Sequence, residues 1–317
     1  MKGCLLIPEV YSGNFASFET YLPLFELIEN NLGFDRIVCN DISPTKLKKY
    51  DVVMTFKSPQ KNEPDLMKSL YKLPKSQKLI GYFIDLHPWH EKFNREEENN
   101  KFFEASEKLM ERCDRIMYAY DEAFRNMWPQ FVKKAEWFPQ FVGNSDYSRR
   151  LPMNENPKNK CLVSGALGFY YPLRQTVLKK YGNFVENLNH PGYKIKTEEA
   201  LRAGFKFKYD FLNTLYQYRC CLSSCAIVRY TLMKHFEIPS VGSLLLSDSC
   251  EDMKKLGFVH SVNYIHVDAL NFGEVMSAII SYPGSFDHIR FNGRKFVLSN
   301  HTEYHRFEQF KRMLSKL

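Results

Sequence analysis

Between Arg229 and Asp248 the chain reads Arg-Tyr-Thr-Leu-Met-Lys-His-Phe-Glu-Ile-Pro-Ser-Val-Gly-Ser-Leu-Leu-Leu-Ser-Asp. The apolar spacing predicts an amphipathic helix from Arg229 with Glu237 near its end, a turn at Gly242 and a short strand over 244–246. A carboxylate just before such a turn points into the crevice at a strand end. There it can accept hydrogen bonds from a ribose diol. The same pattern fits a surface helix whose glutamate is merely solvated, and spacing alone does not separate the two. On the predicted helix Tyr230, Lys234 and Glu237 share a face. Lys234 then either reaches the same ligand or makes a plain intrahelical pair with Glu237.

A second group lies in the first half, where Asp85-Leu-His87-Pro-Trp89 closes the apolar run 79–86. An aspartate or histidine just past a strand end can deprotonate a hydroxyl. Trp89 would offer a ring face to a ligand. The composition is equally that of a turn or helix cap. Glu9, after the first strand, is a third acid candidate on the same side. His190-Pro-Gly-Tyr193 reads first as a turn and second as a contact to a base or diphosphate.

Other chemistries are excluded by what the chain lacks. Ser12-Gly13-Asn14 and Gly165-Ala-Leu-Gly168 are too sparse for the glycine loop of a dinucleotide site. A Walker loop, His-Glu-x-x-His and Gly-x-Ser-x-Gly are also missing. Eight cysteines include the cluster Cys220, Cys221 and Cys225 but no Cys-x-x-Cys pair. Adjacent cysteines make a poor zinc clamp, so reduced, buried thiols are expected.

These groups need a scaffold, and the pattern supplies one. Strand signals at 2–8, 36–39, 51–56, 79–86 and 114–119 alternate with helical ones at 18–30, 95–112 and 122–132, the last interrupted at Pro129. The polar stretch 144–160, with two prolines and four asparagines, is the best linker candidate. Alternation resumes with strands at 161–165, 220–223, 244–246 and 265–267 and helices at 173–181 and 303–317. The expected fold is α/β, with two Rossmann-like domains, 1–150 and 151–317, facing across a cleft.

Hydrophobic residues at 44% and charged residues at 25% suit a soluble globular protein. Apolar runs are too short for a membrane span or a signal peptide, so a cytoplasmic protein with no transmembrane segment is expected. The net charge of +8 suits anionic ligands. Its basic residues are spread out, with short clusters only at 46–49 and 149–150, so nucleic acid is not an expected partner.

Three pieces of the second half resemble a known family. They are Val163-Ser-Gly165-Ala with Tyr171-Pro-Leu-Arg174, then Phe236-Glu237-x-Pro239-x-x-Gly242 within 223–248, then His301-Thr302 with Arg306. Together they resemble the nucleotide-sugar signature of group 1 glycosyltransferases, especially the CgeB-like (spore-maturation-protein-like) branch. The resemblance covers roughly 160–310 and is only architectural before that.

It implies the GT-B fold, with the donor held mainly by the second domain and the acceptor by the first. The last helix is expected to return to the first domain. Glu237 would hold the ribose hydroxyls, and Arg174 would lie near the diphosphate. Gly165 would let the backbone approach, with Lys234 and Tyr230 beside it. The partners implied are a nucleotide-diphosphate sugar as donor and a glycan or glycosylated acceptor, with no further cofactor. No Asp-x-Asp is present, so no metal is demanded. One position departs: Arg229 stands where many retaining members carry an acid. An arginine can neutralise a leaving diphosphate but cannot accept hydrogen bonds from donor-sugar hydroxyls. That departure keeps two alternatives open, a non-catalytic nucleotide-sugar or glycan-binding protein and a nucleotide-sugar epimerase.

Overall fold

The computed structural model describes residues 1–8, 16–38, 44–56, 69–87, 96–190, 192 and 195–317. Its chain divides into two compact units. One comprises the described residues of Met1–Asn14, Tyr21–Pro139 and Phe307–Leu317; the other comprises those of Phe15–Thr20 and Gln140–Arg306.

The first unit carries a six-stranded sheet. Its strands are β1 (Gly3–Ile7), β2 (Asp35–Val38), β3 (Val52–Phe56), β4 (Lys78–Phe83), β5 (Arg115–Tyr118) and β6 (Ala135–Trp137). They are ordered β2-β1-β3-β4-β5-β6, and every pair is parallel. β1 and β3 are buried along their whole length, as expected of parallel strands covered on both faces. Much of the aromatic excess is spent here. Phe56 meets Tyr21, Phe25 and Tyr82 at ring-centroid distances of 4.9, 4.7 and 5.1 Å, and Tyr82 continues to Phe138 at 5.1 Å. These edge-to-face pairs favour specific geometry as well as burial. The helix interrupted at Pro129 is observed as Asp121–Met127 followed by a 3-10 turn, Pro129–Lys134. The last helix, Glu303–Leu314, does return to this unit: Phe310 packs on Phe34, and Gln309 donates to the Glu136 carboxylate at 3.1 Å.

The second unit carries β7 (Lys158–Ser164), β8 (Val185–Leu188), β9 (Tyr218–Leu222), β10 (Leu244–Ser247) and β11 (Ile265–His266), ordered β11-β10-β9-β7-β8 and all parallel. Alternation along the strands divides its core. Leu162, Cys221 and Leu245 face helices Lys208–Tyr216 and Lys234–Ser240, meeting Leu215 and Phe236. Val163, Cys220, Leu222 and Leu244 face helices Pro172–Lys180 and Phe272–Ser281, meeting Val177 and Met276. The seven described cysteines are free and buried.

Two local expectations are corrected. The predicted helix from Arg229 begins only at Lys234. Arg229 has φ +63°, a left-handed conformation that a helix cannot contain, and the Leu232 N–H is taken by the His235 ring at 3.0 Å. Tyr230 therefore lies outside the helix, and its ring is wholly buried. The polar stretch 144–160 is no loose tether. It holds a helix, Ser145–Arg150, and Arg294 and Arg290 donate to the backbone carbonyls of Ser148 and Asn154 at 2.7 and 3.0 Å.

Candidate functional site

Numbered within its own unit, the second sheet has the strand order 2-1-3-4-5. In such sheets the crevice for ligands opens at the carboxyl ends of the first and third strands, where the order reverses. Here those strands are β7 and β9. Gly165 is the residue directly after β7, with φ +102°. A Cβ there would lie 2.7 Å from both Arg174 Nη1 and Lys234 Cε. Two cations thus converge on the backbone of one glycine from opposite faces of the sheet.

Arg174 sits in the first turn of its helix, which opens with Pro172 at a position where a missing N–H costs nothing. The guanidinium is buried. Nη1 donates to the Ala166 carbonyl at 3.0 Å, and Cζ lies 4.2 Å from the centre of the Tyr171 ring. Arg174 therefore shapes the 165–168 loop as well as charging it. Lys234 opens the helix of Glu237 and lays its ammonium on the Phe211 ring at 4.6 Å. Among the described residues no carboxylate lies within ion-pair distance of it. Burial pushes its pKa down, Glu237 opposes that and Arg174 adds to it. A half-buried ammonium beside a like charge is a poor structural device and a good anion receptor.

Glu237, one turn further on, is buried, and burial raises its pKa. Two groups partly offset this: the nearby Lys234 charge and the Thr20 hydroxyl, which donates to Glu237 Oε1 at 3.3 Å. Arg229 is exposed on its left-handed turn, where its N–H donates to the Ala226 carbonyl at 2.7 Å. A non-glycine residue held there costs about 1–3 kcal/mol, a strain that collects at functional sites. Its charge acts on Asp248, at the end of β10. Burial raises the Asp248 pKa, while the Cys225 N–H at 2.7 Å lowers it, as do Arg229 and Arg174.

Asp85 and His87 follow β4 in the first unit, and both are half-buried. Burial lowers the His87 pKa, which favours the neutral ring. Trp89 and Glu9 lie outside the described residues. Four further residues belong to the second unit's constellation. His190 accepts the Gly192 N–H at 2.9 Å through Nδ1, and its pKa is pushed down to about 4 by burial and then by Lys234 and Arg174. Its sequence context reads first as a turn and only second as a ligand contact. Asp248, at the strand end, was in view in the motif without a role. Thr20 carries no local signal at all. His235 is a buried packing histidine, bonded to Ser247 Oγ at 3.0 Å. The resembling triplet His301, Thr302 and Arg306 is buried, and Arg306 donates to His301 Nδ1 at 3.0 Å and to the Gln140 carbonyl at 3.2 Å. These contacts lie within the second unit.

The sequence matches no protein-family model and no curated protein. Solved structures do match along the whole chain. Sucrose-phosphate synthase from Thermosynechococcus elongatus superposes with a TM-score of 0.68 at 11% identity, covering 100% of this chain and 99% of that one. HepE from Anabaena, solved with UDP and glucose, gives 0.64 at 12% identity over 100% of both chains. The fold is GT-B. A UDP-GlcNAc 2-epimerase from Neisseria meningitidis, bound to UDP-GlcNAc, also matches, with a TM-score of 0.57 at 10% identity over 100% of both chains. GT-B architecture therefore spans transfer and epimerisation, and the choice between them rests on side chains. Among the described residues no helix is long and apolar enough to cross a membrane, and no three His, Cys, Asp or Glu side chains are grouped to hold a metal ion.

Proposed function

We propose that this chain is a glycosyltransferase that moves a sugar from a nucleotide-diphosphate donor to an acceptor hydroxyl, on a glycan or glycosylated molecule. The observation that carries the reading is the pair Arg174 and Lys234 on Gly165, a positive site at the switch point whose lysine has no carboxylate partner among the described residues. In this reading the diphosphate lies over Gly165, against Lys234 and Arg174, and Glu237 accepts the ribose hydroxyls. Arg229 neutralises the diphosphate as it leaves, and the adjoining Tyr230 belongs to the same donor site. Transfer breaks the bond from the anomeric carbon to the phosphate oxygen and forms one to the acceptor oxygen. His87 or Asp85 takes the acceptor's proton, with Trp89 and Glu9 on the acceptor side. Cations stabilise charge that develops on the leaving oxygen, which is where electrostatic catalysis gains most.

The finer placement in the CgeB-like branch rests on the Phe236-Glu237-x-Pro239-x-x-Gly242 core. The reading places the enzyme in the cytoplasm and needs no metal, so turnover should survive saturating EDTA. Incubation with UDP-, GDP- and ADP-sugars tests the proposal. Release of nucleotide diphosphate that rises with an added glycan acceptor supports transfer. The Neisseria neighbour gives a second reading a foothold: release of nucleotide and free sugar, indifferent to acceptor, would make the chain an epimerase. Nucleotide binding without any release, across every donor, would leave only a binding protein.

A further inference from the structure

Residues 16–20 belong to the second unit, although the described residues 1–8 and the chain from Tyr21 belong to the first. They lie in a short 3-10 helix, Ala16–Tyr21. Two observations fix the end of that segment. A Cβ on Gly143 would fall 1.6 Å from the Thr20 carbonyl oxygen, so the two backbones approach more closely than any side chain permits. The Thr20 hydroxyl donates to Glu237 Oε1 at 3.3 Å. Among the described residues it is the one hydrogen bond made to that carboxylate.

From this geometry we infer that Thr20 is a positioning residue for Glu237, fixing the carboxylate so that it reads the vicinal hydroxyls of a ribose. The inference rests on the reading of Glu237 as the ribose acceptor. A glutamate has three side-chain torsions, and a carboxylate that must first be ordered spends affinity on ordering. With Oε1 held by the threonine, rotation of the group is restricted. Oε2 and the free lone pair of Oε1 remain for the two ribose hydroxyls. A 2′-deoxyribose offers only one hydroxyl, so a correctly aimed carboxylate discriminates against it. A wandering one does not.

The experiment is calorimetric titration with whichever of UDP, GDP or ADP binds most tightly, and with its 2′-deoxy analogue. The wild-type protein is expected to favour the ribonucleotide by about tenfold, the worth of a charge-assisted hydrogen bond. Thr20→Val keeps the shape and removes the donor, and should cut the ratio to about threefold or less. Thr20→Ser keeps the donor and should retain the wild-type ratio. Gly143→Ala must push the Thr20 carbonyl aside and should mimic Thr20→Val. Melting curves show that each variant is folded, and a purely structural role for Thr20 would weaken both nucleotides equally. A Thr20→Val protein with the full wild-type ratio would overturn the inference while leaving Glu237 in place. A wild-type protein indifferent to the 2′-hydroxyl would overturn the ribose reading itself.

Discussion

The amino ends of the first sheet and the carboxyl ends of the second use the same residue types to opposite effect. Where strands β1 to β5 begin, several polar groups are paired, although the buried Gln77 Oε1 is not. The Lys2 N–H donates to Asp51 at 2.7 Å, Tyr50 to Asp35 at 2.6 Å, and Lys78 to Asp114 at 3.3 Å. The Gln77 amide bridges the carbonyls of Leu47 and Tyr50 at 2.7 and 2.5 Å. Where β7 and β10 end, two cations crowd one glycine and an arginine sits on a strained turn. A matched edge serves the fold. At the second edge Lys234 meets no carboxylate within ion-pair distance among the described residues, and any function is read from that difference rather than from the shared architecture.

The largest expected effect comes from closing the crevice at its floor. Gly165→Ala forces a Cβ into a left-handed backbone and onto Arg174 and Lys234. Strain and overpacking together should cost about 2–4 kcal/mol of stability, read from urea unfolding. A loss below about 0.5 kcal/mol would mean that the glycine is incidental and the contrast between the edges misdrawn.

Next is the acid. Glu237→Ala should weaken nucleotide diphosphate binding by about 1.5–3 kcal/mol, and Glu237→Gln, which keeps an acceptor oxygen, by less. Arg174→Ala should weaken the diphosphate far more than the bare nucleoside. Because burial raises the Glu237 pKa, the carboxylate that accepts hydrogen bonds is lost on acidification sooner than for an ordinary glutamate. Affinity should therefore fall as pH drops through that raised value, and in Glu237→Gln the fall should shrink to the part that the ligand's own phosphate contributes. Titrations across mildly acidic pH decide it. Wild-type affinity as great for Glu237→Ala would remove the main support for a transferase.

How much of this was legible follows from where each signal resides. Parallel alternation is local, so the buried runs of β1, β3, β4, β7, β9 and β10 were readable from apolar stretches. The edge strands β6 and β8 are short and half-exposed and carry no such run. Glu237, Arg174, Lys234 and Gly165 were readable as a motif, but the helix boundary among them was not. It depends on a backbone conformation at Arg229 and a ring bond from His235, neither encoded in hydrophobic period. The structured 144–160 stretch and the Thr20 contact depend on partners more than a hundred residues away. No window of sequence contains them.

Stability at low pH probes the buried histidines that flank the second edge. His235 is wholly buried, and its pKa is pushed down to about 3. Unfolded, it takes a proton near pH 6.5, so the unfolded state binds more protons between there and about pH 3. Its contribution to stability is present above 6.5 and is lost as pH falls through that window, by at most about 1.4 kcal/mol per unit. His235→Gln should flatten that part of the curve of unfolding free energy against pH. An unchanged slope would mean that the ring is reached by solvent and that the second edge is more open than its burial implies.

The smallest effect separates the two edges most cleanly, by making one substitution twice. Lys78→Met removes a partly exposed ion pair with Asp114, which also accepts the Leu79 N–H at 2.9 Å. Such pairs contribute about 0–1 kcal/mol, so stability should fall by no more than that, and nucleotide affinity should not change. Lys234→Met removes an ammonium that burial and Arg174 already disfavour, so the free protein should lose nothing and can gain slightly. The diphosphate, by contrast, should bind about tenfold more weakly to Lys234→Met, while the bare nucleoside binds as before. Equal stability losses in the two variants, with no change in binding, would place Lys234 among the structural charges. The unmatched edge would then be no different in kind from the matched one.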